Sequence, residues 1–325
     1  MRATALKEIT SRAEQPETTH VSVMMDEVLE MLQLKRGGVY VDGTVGMGGH
    51  AAAILERIQP NGFLVGVDRD KESLTKAHER LKSFCGCFRL VHDNYKNLPL
   101  TLNRLAIESV DGILLDLGVS SWQLLSSDRG FSFQSDAMLD MRMDRAQSRT
   151  AMDVVNETPE NELADIIYQY GEERFSRRIA SAIVNERAIA PITRCTQLAG
   201  IVCRVVPARG RQKTHPATRT FQALRIAVNE ELGGLEEFLL EIADFLKPQG
   251  RLVVIAFQSL EDRIIKRVFK KLAGQCVCTA PPELCRCDRL VSGKIITSRP
   301  MTPGAEEVAV NPRARSARLR AVEKI

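Results

Sequence analysis

The chain has 325 residues, 44% of them hydrophobic, with a formal net charge of +4. That is enough apolar material for one large domain or two ordinary ones. No apolar run approaches the length of a membrane span, which excludes a spanning helix. A charge of +4 leaves any nucleic-acid contact to local basic patches.

Residues 1–19 mix Arg2, Lys7 and Arg12 with Glu8, Glu14 and Glu17. They lack the apolar centre of a signal peptide, and their acids argue against a transit peptide, so a mobile tail and a cytoplasmic location are expected. Val21 to Leu34 reads as an amphipathic helix with Val28, Met31 and Leu32 on one side. A strand from Val39 to Val41 runs into Asp42, a glycine-rich turn follows, and Ala51 to Ile58 reads as a helix. A second strand, Phe63 to Val67, ends in Asp68 and precedes a helix over Glu72 to Leu81. Short strands at Phe88 to Val91 and Gly112 to Leu115 follow, the latter ending in Asp116. Strands alternating with helices predict a parallel sheet with right-handed crossovers.

The rhythm breaks between Ser126 and His215, where no strand is convincing. Helices are expected at Glu160 to Tyr170, opened by Thr158-Pro159 as cap and first-turn proline, at Glu172 to Arg187 and at Gln197 to Val206. Helices over Ala217 to Glu231 and Leu235 to Leu246 then lead through a turn at Lys247 to Gly250 into a buried strand, Arg251 to Phe257. A helix over Ser259 to Leu272, with Ser259 as its cap, precedes two segments, Lys294 to Ser298 and Ala317 to Val322, that could close the sheet as an antiparallel pair. The expected fold class is α/β: a doubly wound, mostly parallel, Rossmann-like sheet formed by 20–126 and 216–325, with an all-helical domain, 127–215, inserted in it.

The glycine turn, Gly43 to His50, lies where such a fold builds its ligand site, at the C-terminal end of the first strand. Glycines there admit left-handed backbone and close approach of N–H groups. Asp42 before them disfavours phosphate and suits the methionyl and ribosyl parts of S-adenosylmethionine. Gly46-x-Gly48-x-x-Ala51 also fits a nicotinamide-dinucleotide fingerprint, with Asp68 near the ribose position. The plainer alternatives are a helix cap for Asp68 and first-turn filler for His50.

Asp116, followed by Leu117-Gly118-Val119-Ser120-Ser121, favours methyl transfer. Amino-group methyltransferases carry a polar residue at this strand end. The exocyclic amine of cytosine is a poor nucleophile, because its lone pair is delocalised into the ring. A carboxylate accepting its N–H would draw density back onto nitrogen and receive a proton, and no metal is required. The alternative is that Asp116 binds cofactor only. An extruded base also needs a stacking surface. Val119 occupies the usual aromatic place, leaving Trp122, Phe131, Phe133 and Tyr95 as candidates, each of which could equally be packing.

Eight cysteines are present, and without an export signal they are expected to be reduced. Cys276, Cys278, Cys285 and Cys287 form two C-x-C pairs six residues apart. Four thiolates could hold zinc. The spacing is tighter than the usual C-x-x-C pairs, so reduced thiols with no metal are the expectation.

Five blocks resemble the bacterial small-subunit rRNA cytosine N4-methyltransferase family: Asp42 to Thr44 with Gly46 and Gly48 to His50; Asp68 to Asp70; Asp116 to Ser121 with Asp128 to Phe133 and Leu139 to Asp144; His215 to Arg225; and Ser259 to Arg263 with Asn311 to Ser316. The resemblance implies a class I methyltransferase fold with a helical insertion after the fourth strand. It implies S-adenosylmethionine as cofactor, held by Gly48, Gly49, His50, Asp68, Tyr95, Asp116 and Gln123; the strand-end reading above makes Asp116 the catalytic candidate as well. It implies a decoding-region cytosine of small-subunit rRNA as substrate and the small subunit as partner, and it allows a homodimer. The chain departs from the family at Trp122, where proline is usual, and at Gln258, where histidine is usual. Basic residues at Arg204, Arg209, Arg211, Lys213, His215, Arg219 and Arg225, and again at Arg313, Arg315, Arg318, Arg320 and Lys324, suit phosphate contacts, though each alone could be solvated surface. A nicotinamide-dependent dehydrogenase and a non-catalytic ribosome-assembly factor are the competing readings.

Overall fold

The computed structural model describes residues 22–126, 128–207, 215–278, 280–281, 284–286 and 289–325. The expected tail, together with Arg209, Arg211, Lys213 and Cys287, lies outside them. The chain opens with α1 (Met25–Leu32), β1 (Val39–Asp42), α2 (Gly49–Ile58), β2 (Phe63–Asp68), α3 (Lys71–Arg80), β3 (Phe88–His92), α4 (Leu98–Arg104), β4 (Val110–Asp116) and the short α5 (Ser121–Leu125). A helical stretch follows: α6 (Ala151–Glu157), α7 (Glu160–Gly171), α8 (Ser176–Arg187), α9 (Cys195–Val205), α10 (Thr218–Asn229) and α11 (Leu235–Asp244). The end of the chain supplies β5 (Leu246–Ala256), α12 (Ser259–Leu272), β6 (Gly293–Ile295), α13 (Ala305–Val310) and β7 (Arg318–Lys324).

The strands form one sheet in the order β3-β2-β1-β4-β5-β7-β6. The first five are mutually parallel, and β7 runs antiparallel to both β5 and β6. Side chains alternate across a strand, which sorts the apolar residues onto two faces. Tyr40, Leu64, Leu114, Val253 and Ile255 pack on α1, α2 and α3 through Val28, Leu32, Ile54, Leu55 and Leu74. Val41, Val65, Ile113, Leu115, Leu252 and Val254 pack on α4, α11 and α12 through Leu98, Leu102, Leu239, Ile242 and Ile265. Both faces are covered, so the strands read as near-continuous apolar runs. A third apolar cluster joins α6 to α10 through Val154, Leu163, Ile167, Ile179, Ile183, Leu198, Val202, Phe221 and Leu224.

The structure corrects three local expectations. Lys247 to Gly250 is not a separate turn: it lies within β5, where the register against β4 shifts between Val110 and Gly112 and Gln249 takes a φ of 64°. Ser259 does not cap α12; Gln258 does, in a reciprocal box with Glu261. Thr158 closes α6, and Pro159 stands at the start of α7 without a side-chain cap. Among the described residues no helix is long and apolar enough to cross a membrane.

Candidate active site at the carboxyl ends of the strands

The order of the sheet reverses between β1 and β4, and an α/β sheet opens a crevice at that point. A cavity of about 360 Å³ lies there. The loop after β1 is stitched to both neighbouring strands: Gly43 N donates to Leu114 O and Val45 N to Val67 O, each at 2.9 Å. Gly48, at a φ of 79°, starts α2, and a side chain there would come within 3.2 Å of Ala77 Cα. Gly48 therefore sets the approach of α2 to α3, while Gly46, Met47, Gly49 and His50 line the cavity.

The three acids that end β1, β2 and β4 take different positions. Asp42 is buried beneath the loop, accepts from Thr44 N at 3.1 Å and is pushed up to about 7 by burial. It does not line the cavity, contrary to the sequence expectation that it would face a ligand. Asp68 does line it, and accepts from Gly46 N and Asp70 N, each at 2.8 Å. Burial pushes it up to about 6. The cap of α3 is Asp70, which accepts from Glu72 N, so the plainer reading of Asp68 does not hold.

Asp116 has its own amide donating to Thr44 Oγ1 at 2.6 Å, which fixes the strand end. Its side chain keeps 24% exposure toward the cavity, yet Oδ1 is shut off from water without a hydrogen-bond partner. Oδ2 lies 3.9 Å from His50 Nδ1. His50 Nε2 contacts Val23 O at 2.9 Å, and since a carbonyl only accepts, that nitrogen carries a proton. Burial, and then the negative charges of Asp42 and Glu261, push Asp116 up to about 8. Beyond it, Gly118 at a φ of 101° turns the chain past Phe257 into α5.

Tyr95 lines the cavity, packed edge-on against Phe238, with its hydroxyl 3.4 Å from Glu231 O. Gln123 also lines it, but its amide is engaged: Oε1 accepts from Ser120 N and Nε2 donates to Asp70 Oδ2, both at 3.0 Å. The other stacking candidates lie elsewhere. Trp122 donates to Glu72 with Lys76 over its ring, Phe131 is in the helical cluster, and Phe133 stacks on His215. Sequence reading missed the far wall, built by Arg225, Glu231, Phe257 and Glu261. Arg225 grips Glu231 with two bonds of 2.8 Å. Buried Glu261 accepts from Phe257 N at 3.1 Å. Glu261 and Arg225 belong to the blocks of the family resemblance, but nothing in their spacing marks them as cavity wall. Gln258, the departure from the usual histidine, is buried and accepts from Gln222 at 3.1 Å.

Much of the basic sequence is occupied within the fold. Arg204 pairs with Glu186, and Arg318 and Arg320 pair with Asp262. Lys324 reaches Asp244. Arg313 lines the cavity.

Residues 17–325 match the MraW methylase family. The chain belongs to the MraW methylase family. As a member of it the chain is a methylase, and S-adenosylmethionine is its cofactor; the dinucleotide reading of the glycine turn is dropped. A relative from Geobacter sulfurreducens, named Ribosomal RNA small subunit methyltransferase H, is 52% identical over 309 residues, which is 94% of this chain and 99% of that one. A relative of the same name from Citrifermentans bemidjiense is 50% identical over 307 residues, 94% of this chain and 98% of its own. An rRNA methylase from Streptococcus thermophilus, known as a solved structure, aligns with a TM-score of 0.38 at 12% identity over 93% of this chain and 94% of that one.

Proposed function

We propose that this MraW-family methylase transfers a methyl group from S-adenosylmethionine to the exocyclic N4 of a decoding-region cytosine in small-subunit rRNA, in the cytoplasm. The observation that carries the cytosine-amine reading is Asp116, a carboxylate at the end of β4 that lines the methylase cavity and keeps 24% of its side chain exposed. The RNA class is supported by the name that the half-identical relatives bear.

The residues present fit the cofactor. Asp68, Asp116 and Glu261 place carboxyl groups on the cavity, where an ionised one suits a cationic sulfonium, while Glu231 is paired with Arg225. Gly49, His50, Asp68, Tyr95 and Asp116 are the residues we assign to holding it, with Gly48 and Gln123 acting by setting the backbone around it. The bound cofactor supplies an electrophilic methyl group. Asp116 accepts the amine N–H, keeps the nitrogen lone pair aimed inward, and takes the proton that the amine releases. Arg225 and Glu231 fix the opposite wall. Residues 127–215 are proposed as the inserted domain that, with 20–126 and 216–325, shapes the RNA-facing side.

The experiment is methylation by Asp116→Asn, which keeps size and most hydrogen bonding but removes the charge. Activity at saturating cofactor should fall about 10²-fold or more, the lower range for a positioned acid–base group. In the unaltered protein Asp116 must be ionised to accept, so kcat/KM should rise with pH through a limb near the group's pKa of about 8. The variant should lack that limb. Full recovery of Asp116→Asn at saturating cofactor would confine the residue to binding. Unchanged rRNA nucleosides in cells lacking the protein would show an assembly factor instead.

A further inference from the structure

Between Leu272, the last residue of α12, and Gly293, the first of β6, the chain makes an excursion with a closed neck. Ser292 N donates to Leu272 O at 2.8 Å, and Ala273 pairs antiparallel with Val291. Beyond the neck none of the described residues, 274–278, 280–281, 284–286 and 289–290, is buried. Leu284 and Leu290 are exposed at 69% and 75%. Burial of these described residues therefore gives the excursion no reason to adopt one shape.

Three sulfurs nevertheless converge there. Cys276 Sγ lies 3.2 Å from Cys278 Sγ and 3.3 Å from Cys285 Sγ, and Cys278 and Cys285 are 3.6 Å apart. Thiols are weak hydrogen-bond donors and acceptors, so mutual attraction does not account for a triangle of them. A disulfide would join two sulfurs at about 2.05 Å and leave the third aside. Three similar separations fit one shared centre. Tetrahedral zinc, with bonds of about 2.3 Å, places its sulfurs about 3.8 Å apart, so an outward shift of about half an ångström accommodates the ion. The all-sulfur donor set selects a soft or borderline cation over magnesium or calcium, which require oxygen.

We propose that Cys276, Cys278 and Cys285 bind a zinc ion that staples the excursion between α12 and β6. The sequence expectation of no metal rested on the tight C-x-C spacing. That spacing bars Cys276 and Cys278 from nothing once Cys285 returns to meet them from across the loop. None of the three lines the methylase cavity, so the site is separate from the chemistry there.

The test uses the full chain, purified under reducing conditions without chelator, loaded with zinc and dialysed into metal-free buffer. Elemental analysis should find about one zinc per chain. Cys276→Ser and Cys285→Ser should lose most of it, while Cys85→Ser, an exposed cysteine elsewhere, should keep it. Cobalt(II) in place of zinc should give thiolate-to-metal charge-transfer absorption, and this band in the unaltered protein decides the matter even if a variant fails to fold. Zinc-loaded protein that emerges metal-free and shows no cobalt band overturns the proposal. So does metal retained by both cluster variants, or lost equally from Cys85→Ser.

Discussion

Asp68 and Asp116 end strands that lie one apart in the sheet, yet they act in different ways. Asp68 commits one oxygen to Gly46 N and the other to Asp70 N, so it shapes the glycine loop while presenting its remaining lone pairs to the cavity. Removing it with Asp68→Ala should weaken S-adenosylmethionine binding by about 1–3 kcal/mol, the cost of unpaired polar partners. Calorimetry on the folded variant checks this, and unchanged affinity would exclude Asp68 from the cofactor site. The acids themselves were legible in sequence, because each closes a run of β-branched or aliphatic residues. Which of them meets the ligand was not. Asp42 has the same sequence setting as Asp68, but the loop after it folds back and covers it. Exposure of one carboxylate and burial of its counterpart is decided by where a turn lands, and periodicity carries no record of that.

Elements were legible in proportion to their length and regularity. Strands β1 to β4, the second half of β5 and helices α7, α8, α11 and α12 stand where the apolar pattern places them, whereas short α4, α5, α6 and α13 carry too few turns to show a period. The join between α3 and α5 was also hidden. Asp70, at the head of α3, accepts from Gln123 Nε2 and from Arg129 Nη1, each at 3.0 Å. Arg129 is 1% exposed, and its other terminal nitrogen donates to Arg142 O and Met143 O. Its partners are distant in sequence, so no local pattern marks it as a buried arginine. Arg129→Met keeps the volume and strands the buried Asp70 carboxylate. It should lower stability by about 3–5 kcal/mol, the cost of breaking a buried pair from one side. Denaturant unfolding measures this, and a loss under about 1 kcal/mol would mean that the pair behaves like a surface bridge.

For the molecule as a whole, the doubly wound sheet was readable because strands and helices alternate in number and order. The cavity was readable only in half. Its floor comes from the strand ends of the first part of the chain, and its far wall, Arg225, Glu231, Phe257 and Glu261, arrives from beyond the helical stretch. That same stretch bears on how the chain reaches its native state. β4 and β5 are neighbours in the sheet, but everything from Asp116 to Leu246 separates them along the chain. Bringing such distant ends together incurs loop-closure entropy before any ladder hydrogen bond rewards it, which makes the pairing slow. Helices α7 and α8 contact each other across a few residues, and α10 packs back on α7. Their prior association shortens the effective tether between the two strands. In pulsed hydrogen exchange during refolding, amides of α7 and α8 should gain protection before those of β4 and β5. The reverse order would show that the sheet assembles without waiting for the helices to gather the slack.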